Sequence, residues 1–134
     1  QLLRRRGRGC LLAVHCHSRY AFVRWDVPPL QLEDIPGLFR AGLTDSRTAA
    51  GLSPARVEGY LEKAGPACLT RTHGRREVAF LNRAWEDVLA LDLCLDMERQ
   101  AQPLLDRAVN TCSSRCAGFE GLGTGLERIS ASLL

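Results

Sequence analysis

The sequence predicts an α+β fold: a small, mostly antiparallel three-stranded sheet (β-β-α-α-β-α-α) packed against helices, with one long helix in the C-terminal half. Three observations carry this expectation. Two segments rich in β-formers flank Ser18, two short stretches of helical period follow them, and a longer helical pattern occupies the second half. The length of 134 residues is one domain's worth, enough to bury a core without staples. At 46% hydrophobic and 25% charged, the composition is ordinary for a globular domain and excludes wholesale disorder, collagen-like repeats and a small disulfide scaffold. No apolar run approaches the ~20 residues of a membrane-spanning helix.

Taken in order, residues 10–17 and 19–27 form a hairpin turning near Ser18, and Pro28-Pro29 ends its second strand, because proline cannot donate to a ladder. Leu32 to Leu43 has apolar residues at helical spacing, with a start near Pro36 as the alternative to a start at Leu32. Residues 44–51 are polar and small, which predicts a loop. Ser53-Pro54 is an N-cap followed by an N1 proline, and Gly65 stands where a C′ glycine belongs, so Pro54 to Ala64 is a helix. Ala67 to Thr72 reads as the third strand and Thr72 to Arg76 as a turn. The long helical pattern runs from about Val78 to about Gln102, where Pro103 kinks or ends it, and a further helix follows from Leu104 to about Cys112. The domain is expected over residues 1–116, with a Gly-rich tail over 117–134 that begins as a loop.

Lys63 is the one lysine among 18 basic residues, which leaves 17 arginines at a net charge of +3. That charge is too small to announce a nucleic-acid binder. The six cysteines include Cys10, Cys68 and Cys94 in apolar segments, where a free thiol behaves as a small hydrophobe. With no signal peptide in view, a reduced, cytoplasmic protein is expected. The chain starts at Gln1 rather than Met, and the first strand would leave an open sheet edge, so an N-terminal portion is expected to precede it.

Leu2-Leu3-Arg4, Arg8-Gly9-Cys10-Leu11-Leu12, Tyr20, Phe22, Ile35, Leu38-Phe39, Val57, Tyr60-Leu61 and the stretch Thr72, Arg75, Val78, Asn82 resemble a small family of uncharacterised bacterial proteins, a domain of unknown function. The likeness covers roughly residues 1–95 and leaves the tail unmatched. It implies a compact bacterial domain with a further segment before Gln1, and it supplies no activity and no cofactor.

Two arginine clusters stand out from the scattered remainder. Thr72, His73, Arg75, Arg76 and Asn82 gather at the start of the long helix, where free N–H groups and arginine forks suit an anion or phosphate; the bland alternative is a solvated turn capped by Thr72. Arg4, Arg5, Arg6 and Arg8 could track a phosphate backbone or form a solvated arm. His15 and His17 share a strand face, yet metal-binding is the minor reading and no metal is assigned. Asp92 and Asp96 would share a helix face, while Glu98-Arg99 and Asp106-Arg107 suggest an ordinary charged exterior. Trp25 and Trp85 are core anchors rather than stacking platforms, and Cys112 and Cys116 are reduced thiols near a helix end.

Leu89 to Met97 is apolar on more than one helix face, so this stretch is either central to the fold or buried in an interface, and a homo-oligomer or a protein partner is the expectation drawn from it. The leading expectation is therefore a non-enzymatic binding module working through that helix and the open sheet edge. Accessory nucleic-acid or anion contact, with a toxin–antitoxin setting imaginable, and no membrane contact complete that reading. The alternative is a small enzyme acting on a phosphorylated or nucleotide substrate at the Thr72–Asn82 turn, with His73 as general base.

Overall fold

The computed structural model describes residues 1–16, 18–66, 74–115, 122–125, 127 and 128. Strand β1 (Leu2–Arg5) and strand β2 (Arg8–Val14) pair antiparallel with Arg5 opposite Arg8. Arg6 and Gly7 join them with φ of 51° and 76°, two positive values in succession, as a two-residue type I′ turn requires. The arginine cluster is thus the tip of a hairpin and not a trailing arm. Strand β3 (Ala21–Trp25) pairs with β2 in the expected hairpin, with Leu12 opposite Val23. The sheet order is β1-β2-β3. The edge of β2 that the sequence left open is covered by β1, and the strand expected over Ala67–Thr72 lies outside the described residues.

Helix α1 spans Ile35–Ala49 after a 3-10 turn at Pro29–Asp34. Pro36 sits in its first turn and Asp34 caps it, its carboxylate accepting from the Gly37 N–H at 3.0 Å. The loop expected over 44–51 is helix as far as Ala49, because Leu43, Ser46 and Arg47 are buried and continue the inward stripe. Helix α2 (Pro54–Ala64) forms as read: the Ser53 hydroxyl accepts from the Arg56 N–H at 3.3 Å, and Gly65 ends the helix at φ 73°. Helix α3 runs Arg75–Ala90. The expected long helix to Gln102 therefore stops early. A 3-10 turn at Asp92–Cys94 and a loop follow, and the Gln102 side chain holds that loop by accepting from the Asp96 N–H at 2.8 Å and donating to the Asp96 and Arg99 carbonyls at 2.7 Å each. Helix α4 (Pro103–Asn110) begins on Pro103. Strands β4 (Ser113–Arg115) and β5 (Leu122–Thr124) pair antiparallel, so part of the expected glycine-rich loop is strand.

Alternation along the strands sends two apolar sets to opposite faces. Leu12, Ala21 and Val23 meet Ala84 and Val88 of α3 and Leu105 and Val109 of α4. Leu11, Phe22 and Val27 meet Leu38 and Leu43 of α1. Both faces are covered, which is why every residue of β3 is buried. Trp25 is buried and Trp85 packs against the first cluster, as core anchors. No helix of the described residues is long and apolar enough to cross a membrane.

Candidate functional site

The hairpin tip carries the first arginine cluster. Arg5 Nε donates to Asp92 Oδ1 at 3.2 Å, Arg6 Nη2 pairs with Asp92 Oδ2, and Arg6 Nη1 contacts the Met97 sulfur at 3.1 Å. These two arginines hold the Asp92 carboxyl below the usual carboxylate range. Asp92 and Asp96 therefore do not form a pair on one helix face: Asp96 accepts from the Glu98 N–H at 2.9 Å and lies 3.6 Å from Arg99. Arg8 stands 3.5 Å from Asp26, and Arg4 reaches only the Gly7 carbonyl at 3.4 Å, with no ion pair among the described residues.

The hydrogen-bond alternation shows what β1 presents outward. Gln1 and Leu12 exchange backbone bonds at 2.7 and 2.8 Å, so by period two Leu3–Cys10 and Arg5–Arg8 are the bonded pairs. The backbone groups of Leu2 and Arg4 consequently point away from β2, and nothing among the described residues pairs with them. Leu2 is exposed, as are Leu93 and Met97 near the hairpin tip.

At the second cluster, Arg75, Arg76 and Asn82 are exposed on α3, and Arg75 and Asn82, seven residues apart, share a face. The Glu77 carboxylate folds back over Gly74, so the first turn of α3 already holds a negative group. Thr72 and His73 lie outside the described residues, as do His17, Cys68 and Cys116. His15 Nδ1 lies 2.7 Å from the Ser18 hydroxyl, and its ring meets Tyr60 edge-on with centroids 6.1 Å apart. Among the described residues, no three His, Cys, Asp or Glu side chains gather as metal ligands.

A second locus escaped the sequence reading. Asp106 is buried at 5% exposure and Asn110 at 2%. Asn110 bonds both backbone groups of Ala21 at 2.7 Å, and Asp106 Oδ1 accepts from the Val23 N–H at 2.9 Å. Beyond them the Gln100 carbonyl accepts from the Trp25 N–H at 2.8 Å and Ala101 bridges to Arg24. Side chains of α4 and the segment before it thus stand where a fourth strand would pair with β3. Asp106-Arg107 is not a charged exterior: only Arg107 is exposed. The available signal was the stripe Leu105-Asp106-Val109-Asn110, two polar residues inside a core-facing period.

Between α1 and this segment runs a seam. One cavity of about 220 Å³ is lined by Arg24, Gln31 and Ala41 among others, and a second of about 110 Å³ by Arg24, Asp45, Ser46 and Asp106. A third, of about 80 Å³, shares Ser46, Pro103 and Asp106 with the second and adds Tyr20 and Asn110. Burial pushes the Asp106 carboxyl up to about 7, against the opposing pull of the Val23 N–H, the Ser46 hydroxyl and Arg24. Burial likewise pushes Tyr20, 2.7 Å from the Ser46 hydroxyl, up to about 12.

These features define an α+β domain with a sheet sheathed by helices on both faces, one strand edge that is unpaired among the described residues and a polar seam beside the other. The chain belongs to the family described as a domain of unknown function (DUF6933), which matches residues 1–118. No curated protein and no solved structure matches it.

Proposed function

We propose that the domain is a non-enzymatic binding module that takes an extended, acidic segment of a partner protein onto the edge of β1. The observation that carries this reading is the outward set of Leu2 and Arg4 backbone groups, unpaired among the described residues. An added strand gains affinity from main-chain hydrogen bonds and specificity from its side chains. Arg4 lies on that edge with no ion pair among the described residues, and Arg8, on the neighbouring strand at the same hairpin end, is in a long one with Asp26, which leaves this end positively charged and favours an acidic occupant. Exposed Leu93 and Met97 near the hairpin tip offer apolar contact beside the charge. A second copy seated here would set two arginine-rich hairpins side by side, which disfavours a homo-oligomer at this edge. The buried free thiol of Cys10 supports a reducing, cytoplasmic setting.

A peptide of alternating valine and glutamate, titrated into the isotopically labelled chain, tests the reading. Saturable shifts of the Leu2 and Arg4 amides are expected, weakened at least tenfold in the double variant Arg4→Glu, Arg8→Glu. Unmoved Leu2 and Arg4 amides would sink it. Preferential, steeply salt-dependent binding of a duplex DNA probe at the same amides would replace it with nucleic-acid binding.

A further inference from the structure

We infer that Met97 is an oxidation site that sets how firmly the N-terminal hairpin is held, whatever the β1 edge binds. Met97 is the one methionine of the chain, and it is 57% exposed. Its main chain is fixed in the connection between α3 and α4: the Met97 carbonyl accepts from the Trp25 indole N–H at 3.4 Å, and Asp96 beside it is held by the Gln102 side chain. The Met97 sulfur lies 3.1 Å from Arg6 Nη1 at the hairpin tip, while Arg6 Nη2 pairs with Asp92. One guanidinium thus joins the tip to that connection through two contacts of unequal quality. The carboxylate is a charged acceptor and the thioether a weak one.

Oxidation brings the weaker contact up to strength. The oxidant class is a hydroperoxide, which converts a thioether to its sulfoxide. The sulfur lone pair attacks the distal peroxide oxygen, and an S–O bond forms as the O–O bond breaks. The proton of that oxygen passes to the departing oxygen, which leaves as an alcohol, or as water when the oxidant is hydrogen peroxide. Sulfur gives up two electrons and the peroxide takes them. The Cys10 and Cys112 thiols, pushed up by burial, compete poorly because the thiolate is the reactive form. The sulfoxide oxygen is a polar acceptor, and three rotatable bonds let the side chain turn until that oxygen takes the place the sulfur held, facing Arg6 Nη1. The tip is then tied by two charge-assisted hydrogen bonds, and the apolar surface of Met97 beside it turns polar. Methionine sulfoxide reductases reverse the change, so the oxidation state of one atom is read out through the hairpin.

The full chain is treated with tert-butyl hydroperoxide, then with dithiothreitol to return oxidised thiols, and Met97 sulfoxide is scored by peptide mass. Amide exchange is read at Arg5 and Arg8, the residues paired across the hairpin next to its turn. Exchange slowed roughly threefold in the oxidised chain, as one added net hydrogen bond would do, and restored by the reductases, is expected. Met97→Leu removes the sulfur. Arg6→Asn removes the guanidinium and keeps a residue suited to the positive φ of the turn. Neither variant should respond to the oxidant. The inference is overturned by a Met97 that resists the hydroperoxide where free methionine is consumed, by unchanged or faster exchange in the oxidised parent, or by equal slowing in either variant.

Discussion

Asp106 ties acidity to stability. Its folded value of about 7 lies above the ordinary 3.8, so the folded state holds a proton that the unfolded chain releases between those values. Stability contributed by that proton is present below pH 4 and is lost as pH rises toward 7, a change of ~4 kcal/mol at most. Asp106→Asn keeps an acceptor for the Val23 N–H and removes the titration. Urea unfolding from pH 4.5 to 8 should show a falling midpoint in the parent that is absent in the variant. Arg47 poses the opposite case. It is fully buried, its guanidinium lies 4.1 Å from the Tyr60 ring centroid, and among the described residues none of its side-chain nitrogens has a hydrogen-bond partner. Cation–π attraction of about 2 kcal/mol does not offset the desolvation of such an ion, and burial accordingly lowers its affinity for the proton. Arg47→Met, apolar and similarly long, is expected to hold or raise the thermal midpoint.

At the scale of elements, one of the contacts between α1 and β3 is made at a glycine. A Cβ on Gly42 would run into the Phe22 ring. Gly42→Ala should therefore cost about 1–3 kcal/mol by overpacking despite the better helix propensity of alanine, a sign that thermal unfolding reads directly. Asn110→Ala opens the β3 edge by stripping both Ala21 backbone groups of partners, and at about 1–3 kcal/mol for each group it should be among the most damaging changes outside the apolar core. Elements whose boundaries are set locally were legible: the Ser53-Pro54 start and Gly65 end of α2, the Pro103 start of α4, the hairpin around Ser18. Those decided by tertiary contact were not. Residues 91–102 carry helical spacing, yet Gln102 and Gln100 draw that segment onto β3 as a loop. Leu2–Arg5 is too short and too charged to signal a strand, and the Arg6-Gly7 turn becomes visible only through its positive φ values. The seam was illegible because its members come from β3, α1 and α4, more than 50 residues apart between Ser46 and Asp106.

For the whole molecule, Asp92 fastens the N-terminal hairpin to the connection between α3 and α4. Such exposed pairs contribute little to global stability, within ~1 kcal/mol. Asp92→Asn should leave the unfolding midpoint nearly unchanged while hydrogen exchange at the Arg5 and Arg8 amides accelerates, and salt should mimic the substitution in the parent.

The substitution of side chains for a fourth strand also sets a timetable. Ala21 waits for a partner 89 residues later in the chain. On the ribosome both hairpins can zip as soon as they emerge, but β3 stays a bare edge until α4 has been made. The nascent domain therefore passes through a stage at which it is already a sheet and not yet protected from its neighbours, and a chain ending before Pro103 should accumulate as sheet-rich aggregate instead of a smaller folded core.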